Sequence, residues 1–321
     1  MENWTPIRFN PIYRAYPWGG RTLPDKYSRM DCPTSGPIAE SWEISDRNDG
    51  MSIIAVGWLA GRTLRDLMDS HSEEILGKNT TTGPFPLLVK IIDARDSLSI
   101  QVHPDDNAAK SGYGEAKSEA WYVIDCAPGA CIYRGFLPGV TEADFNTALA
   151  AGTVDQLMNR QLVAPGDLIY VPGGTIHAIG AGCLLLEVQQ NSNTTYRVFD
   201  WNRKDADGNS RPLHVDEAKK VVSWETDEMH QPAEGGRCIT PYFTLEVLSI
   251  GRRPVNVKDP LKGCTIVFVE EGNVIIRYPE GETLAQPGTT WLIPAAMKTI
   301  KLIRHECDAA NVVLIRGVRP A

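Results

Sequence analysis

Short apolar runs bounded by Gly, Pro, Asn or Asp recur along most of the chain: residues 52–56 (SIIAV), 87–92 (LLVKII), 98–103 (LSIQVH), 120–124 (AWYVI), 130–136 (ACIYRGF), 167–172 (DLIYVP), 183–190 (CLLLEVQQ) and 194–199 (TTYRVF). Runs of this length between turn-forming residues predict β-strands, and their even spacing predicts an all-β barrel or sandwich. Helical periodicity is confined to TLRDLMDSHSEEIL (63–76) and TEADFNTALAAGTVDQLM (141–158). In the second, Thr141 is a candidate N-cap and Phe145, Leu149, Val154 and Leu157 supply the apolar positions. These predict helices decorating a β core.

The segment ETDEMHQPAEGGRC (225–238) has the Pro, Gly and charge content of a linker, and DADGNS (205–210) that of a turn. The expected division is a unit over residues 1–224 and a second β unit over 239–321. In the latter, YFTLEVLSI (242–250), TIVFVEEGNVIIRY (265–278) and TTWLIPAAMKTIKLI (289–303) read as strands, with a hairpin expected around Glu271 and Gly272. A short echo links the halves. Gly166-x5-Pro172 matches Gly288-x5-Pro294, but the first copy leads to His177 and the second only to Ala295, Ala296 and Met297.

Composition narrows the function classes. With 321 residues, 42% hydrophobic and 22% charged, the chain can bury a substantial core. The first thirty residues hold no apolar signal region and no window reaches a membrane-spanning length, so a cytoplasmic protein without a membrane partner is expected. Seven scattered cysteines with no CxxC pair argue against a disulfide framework and against a thiolate zinc site. The net charge of −8 lacks a basic block, which excludes nucleic acid as an expected partner.

The strongest local motif is Gly166-x5-Pro172-x-Gly174-x2-His177, similar in spacing and residue type to the second motif of the cupin superfamily. Upstream, Gln101 and His103 stand at i, i+2 in LSIQVH, on one face of a strand, and Lys117 and Glu119 repeat that interval. Two histidines, a carboxylate and an amide oxygen suit Zn²⁺ or a similar divalent ion. Glu187 and Gln189 share the strand face opposite Leu184, Leu186 and Val188, so Glu187 faces either solvent or the pocket. Lys90 interrupts an apolar strand, which is costly unless its amine reaches water or an anion. Lys117 follows a loop-like, solvated stretch. His71, His214, His230 and His305 read as surface residues. Trp18, Trp42, Trp121 and Trp201 fit either a sugar-site wall or core packing.

Three segments in order, FPLLVKIIDARDSLSIQVHPDD (85–106), KSEAWYVI (117–124) and PGGTIHAIGAGCLLLEVQQNSNTTYRVFDWNR (172–203), resemble the short bacterial form of type I phosphomannose isomerase. WGG (18–20) and IAESWEIS (38–45) resemble the opening of that family. The resemblance implies a mainly β cupin fold with a jelly-roll barrel, a few helices and a second, degenerate cupin-like barrel. It implies zinc, one per chain, held by Gln101, His103, Glu119 and His177, with Arg197 as the catalytic arginine. Lys90 and Lys117 match pocket lysines, Ser99 a serine at the phosphate end, and Glu187 a glutamate of proton transfer. The large helical insertion of longer members is absent. The implied partner is a small sugar phosphate, and a monomer or weak homodimer is expected.

Aldose–ketose isomerisation moves a proton between C1 and C2 through a cis-enediolate, which requires an acid–base group and charge stabilisation. Arg197 does not readily release a proton, so it suits an electrostatic role, and Glu187 or a lysine of depressed pKa is the candidate base. Two rival readings are a cupin iron oxygenase and a non-catalytic sugar-binding cupin. Lys90, Lys117 and Arg197 favour an anionic substrate over the first, and the complete ligand set argues against the second.

Overall fold

The computed structural model describes residues 3–78, 83–204, 208–225, 236–257 and 263–318. Most of the expected linker, 226–235, and part of the 205–210 turn lie outside them. Antiparallel strands dominate, as the apolar runs predict.

The first sheet runs, in spatial order, Leu168–Val171, Glu119–Cys126, Cys183–Gln190, Leu87–Ala94, Glu40–Ile44 and Ile12–Arg14. The second runs Met158–Leu162, Cys131–Phe136, His177–Ile179, Ile100–Val102 and Tyr196–Phe199. The two sheets face one another in the jelly-roll arrangement of a cupin, and Trp121, Val123, Leu185 and Ile92 of the first pack with Ile132 and Ile179 of the second. The strands Leu87–Ala94 and Cys183–Gln190 are buried at every position because both faces of the first sheet are covered. Leu184, Leu186 and Val188, on the side away from the second sheet, join one apolar cluster with Phe268, Leu314 and Ile276 of the C-terminal part. That is the face the alternation assigned to them.

The helices cover what remains. Thr63 and Thr141 both cap helices through reciprocal bonds with Asp66 and Asp144. Leu64–Leu76 buries Leu64, Leu67, Met68, Ile75 and Leu76. Glu142–Ala151 lays Phe145 and Ala148 on the outer face of the second sheet beside Phe136, Val198 and Ala178. The second helix is shorter than its periodicity implied. Gly152 closes it with a φ of 69°, Val154–Leu157 forms a 3₁₀ turn, and Met158 begins a strand.

The C-terminal residues form two further sheets. One orders Ile7–Arg8, Thr290–Ile293, Thr265–Glu271, Ala310–Arg316, Thr244–Ile250 and Arg237–Ile239; the other orders Val255–Val257, Ile300–His305, Asn273–Tyr278 and Gly281–Ala285. Residues 7–8 therefore cross from the N-terminal part to edge the larger C-terminal sheet. The expected hairpin at Glu271 and Gly272 does not form. Its two arms lie in different sheets, and Gly272 at a φ of 70° carries the chain from one to the other. A Cβ there would stand 2.5 Å from Ala309 O, so only glycine fits the corner. Residues 52–56 also differ from expectation: Ile53 and Ile54 make isolated bridges only.

Candidate active site

Two rows of side chains face each other across the space between the first two sheets. Pairing in the first sheet sets Trp42 beside Lys90, Lys90 beside Glu187, and Glu187 beside Trp121. Cross-strand neighbours point to the same face, so four side chains from four strands form one inward row. Glu119, two residues before Trp121, shares that face. In the second sheet His177 and Arg197 both pair with Gln101.

The ring nitrogens of both histidines are fixed from behind. Nδ1 of His103 donates to Thr194 O at 2.8 Å, and Nδ1 of His177 donates to Thr175 O at 2.9 Å. A carbonyl only accepts, so the proton is on Nδ1 in each ring and the Nε2 lone pair faces the cavity. His177 Nε2 lies 3.2 Å from Glu119 Oε1, and His103 Nε2 lies 3.7 Å from Glu119 Oε2. Donor atoms of His103, Glu119 and His177 fall within 4.8 Å of one another. Burial, then the Lys117 charge, holds His103 well below the usual histidine range; burial lowers His177 too, against the pull of Glu119. Both rings are therefore neutral, the form that ligates a metal.

The residues fit a divalent ion. Glu119 is fully buried and neither carboxylate oxygen receives a well-directed hydrogen bond, although Lys117 Nζ stands 2.8 Å from Oε2. Such acceptors are costly to bury uncompensated. The Gln101 amide nitrogen lies 3.4 Å from His177 Nε2, so half a turn of the amide presents its oxygen as a fourth donor. Imidazole and oxygen donors without thiolate suit Zn²⁺ or a similar ion.

Beside these donors lies a cavity of about 290 Å³ whose walls include Lys90, Glu187, Lys117, Ser99, Gln101 and Arg197. Lys90 Nζ is 3.5 Å from Glu187 Oε1 and 3.6 Å from Glu40 Oε2. Burial opposes its charge, but Glu40 and Glu187 outweigh burial and raise its pKa. A lysine base of depressed pKa is thus not found at Lys90. Burial likewise opposes ionisation of Glu187, but Lys117, Lys90 and the Trp121 Nε1 hydrogen bond, 3.0 Å to Oε2, hold its carboxyl below the usual range. Its Oε1 is buried without a hydrogen-bond donor. Glu187 faces the pocket, not solvent.

Arg197 Nε donates to Ser99 Oγ at 3.2 Å, and Ser99 Oγ donates to Gln101 Oε1 at 3.3 Å, so the arginine connects to the donor cluster through two side chains. Lys117 is buried, with Nζ 3.1 Å from His103 Nε2, where its sequence context read as solvated loop. All nine residues singled out from sequence converge here. Sequence reasoning missed Glu40 and Arg211, which also line the cavity. Glu40 and Trp42 stand at i, i+2 in ESWEI, a signal available but not used; Trp42 Nε1 donates to Glu40 Oε2 at 2.6 Å. His214 is half-buried behind Arg197, whose backbone N–H donates to His214 Nδ1, and is not simply a surface residue. His71 packs edge-on against Trp4.

Fold and donor set define a mainly β protein of the cupin kind with a buried two-histidine, one-carboxylate centre beside a cationic cavity. Residues 7–126 match the model of the type I phosphomannose isomerase catalytic domain. The chain is 41% identical over 219 residues to mannose-6-phosphate isomerase ManA of Bacillus subtilis, covering 68% of each protein. To a second B. subtilis protein, a putative mannose-6-phosphate isomerase, it is 33% identical across 91% of this chain and 94% of the relative. The crystal structure of a B. subtilis mannose 6-phosphate isomerase superposes with a TM-score of 0.84 at 29% identity, over 98% of this chain and 100% of that one. The chain belongs to the type I phosphomannose isomerase family.

Proposed function

We propose that the protein interconverts mannose 6-phosphate and fructose 6-phosphate through a cis-enediolate. The observation that carries this reading is the placing of one ionised, under-bonded carboxylate, Glu187, beside the His103, Glu119 and His177 donors in a single cavity with Lys90, Lys117 and Arg197. Gln101, His103, Glu119 and His177 would hold one zinc ion. Bound there, zinc supplies Lewis acidity toward the substrate's carbonyl and hydroxyl oxygens.

The chain's own groups divide the remaining work. Glu187 Oε1 takes the C2 proton of the open-chain aldose and returns it to C1. Lys90, 3.5 Å from Oε1, helps to keep that carboxylate ionised, and the Trp121 Nε1 hydrogen bond holds Oε2 in place. The Lys117 ammonium stabilises negative charge as it develops on the sugar oxygens, and the Arg197 guanidinium is the electrostatic partner of the substrate's anionic groups. Ser99 fixes Arg197 through its Nε and contributes to substrate binding with Lys90. Seven free cysteines fit a reducing compartment, and we read the protein as a cytosolic monomer or weak homodimer.

A coupled assay on mannose 6-phosphate, following fructose 6-phosphate before chelation, after chelation and after zinc is restored, tests the proposal. Activity lost with the metal and recovered with zinc is the expected result. A folded, zinc-loaded protein without turnover would overturn it.

A further inference from the structure

After the strand Tyr196–Phe199 the chain leaves the second sheet and returns at residues 211–214, where His214 N donates to Arg197 O at 2.7 Å. Asp200, nearly buried, ties the excursion down. It accepts Arg211 Nε at 2.7 Å on Oδ2 and Arg211 Nη2 at 2.5 Å on Oδ1, a bidentate pairing, while Arg203 Nη2 also reaches Oδ1 at 2.5 Å. Arg203 in turn donates from Nη1 to Ser97 O at 2.6 Å, anchoring the group to the chain just before the second-sheet strand Ile100–Val102. Two guanidiniums therefore share one carboxylate, and that carboxylate sets the angle at which the Arg211 fork stands.

Arg211 lines the same cavity as Arg197 and Ser99. Arg197 spends Nε on Ser99 Oγ and Nη1 on Pro212 O, and Asp200 takes Nε and Nη2 of Arg211 but not Nη1. Arg197 and Arg211 thus bring two guanidiniums to one cavity wall. Asp200 sets one negative charge against Arg197, Arg203 and Arg211, so an excess of positive charge remains for an anion to neutralise, and planar guanidiniums match the oxygens of a phosphate.

We propose that Arg211 is a specificity-determining residue, forming with Arg197 a clamp for the phosphomonoester of the substrate, and that Asp200 is the positioning residue that aims it. The inference rests on the sugar-phosphate reading above and orients the substrate: phosphate toward Arg197 and Arg211, C1 and C2 toward Glu187 and the metal donors. It makes recognition of the phosphate depend on a residue outside the strands.

The test compares wild type, Arg211→Met, Arg211→Lys and Asp200→Asn by steady-state kinetics on mannose 6-phosphate and by titration calorimetry with inorganic phosphate. In Arg211→Met, KM is expected to rise by about 10- to 100-fold, well beyond any fall in kcat, and inorganic phosphate to weaken in parallel. Arg211→Lys keeps the charge but loses the fork and falls between; it decides the matter if the methionine variant does not fold. Asp200→Asn raises KM by about 3- to 10-fold with the metal content intact. Phosphate affinity and KM within about twofold of wild type in both Arg211 variants overturn the clamp, as does a loss confined to kcat, which places Arg211 at the reacting carbons. An Asp200→Asn protein that melts earlier but keeps wild-type KM overturns the positioning role. Wild type that binds phosphate through Arg211 but does not turn over mannose 6-phosphate defeats the functional reading and leaves the clamp standing.

Discussion

The two PG turns put the N- and C-terminal parts of the molecule side by side. Gly166 and Gly288 both sit at positive φ, 94° and 77°, and each precedes a four-residue strand, Leu168–Val171 or Thr290–Ile293, that stops at a proline. Beyond Pro172 the chain makes a second-sheet strand that opens with His177. Beyond Pro294 it makes the 3₁₀ turn Ala295–Met297 and buries Met297 in the apolar core. The facing sheets follow suit. Between the N-terminal pair stand Lys90, Glu187, Glu119 and His177, all buried. In the C-terminal sheets Ile266, Phe268, Val274, Ile276, Leu302 and Leu314 are buried in one cluster. Glu246 is the contrasting charge there, at the larger sheet's side strands, and Arg237 and Arg316 neutralise it. The same turn chemistry thus serves a site in one part and packing in the other. Buried charges that converge on a cavity mark the part that does chemistry, since they are retained there against their desolvation cost.

Removing a metal donor should break the comparison most sharply. His177→Ala is expected to abolish stoichiometric zinc, measured by elemental analysis of the folded protein, and to lower kcat/KM by about 10³-fold or more. Met297→Ala, in the turn that follows Pro294 in the C-terminal part, should leave zinc content and kcat unchanged; a change in either would mean that the C-terminal part shares in the chemistry.

Glu187→Gln comes next, with kcat reduced by about 10²- to 10⁴-fold and zinc retained, because the base is lost and the donors are not. Its ionisation can also be moved from outside. Lys90 and Lys117 hold the Glu187 carboxyl low against burial. Lys90→Met removes one of them, so the folded-state pKa rises and the acid limb of the kcat/KM profile moves to higher pH. A limb that stays in place or moves to lower pH would show that another group controls it.

The smallest effect on activity belongs to the C-terminal core. Phe268 is fully buried, and Phe268→Ala should cost about 3–5 kcal/mol of stability, read from denaturant midpoints. Zinc content and kcat of the folded fraction should remain those of wild type. Loss of zinc in that fraction would sharpen the comparison differently, by showing that the site depends on the cluster joining Phe268 to the first sheet.

Local chemistry was legible from sequence wherever neighbours in the chain decide it. The i, i+2 intervals of Gln101 with His103 and Lys117 with Glu119, the caps at Thr141 and the glycine–proline frame around His177 follow from strand period, capping and turn geometry. So did the face of Leu184, Leu186 and Val188. Period two states which residues share a face but not which face is covered. Thus the sequence leaves Glu187 open between solvent and pocket, and alternation alone predicts one hairpin at 271–272 where Gly272 sends the two arms to different sheets. Tertiary structure alone decided that Lys90 pairs with Glu187 across about a hundred residues, that Lys117 is buried against His103, and that Arg211 returns to the wall of Arg197. The reason is physical. Register and return path are set by contacts among distant strands, which compete as a whole for buried area and hydrogen bonds, and no short window of sequence carries that competition.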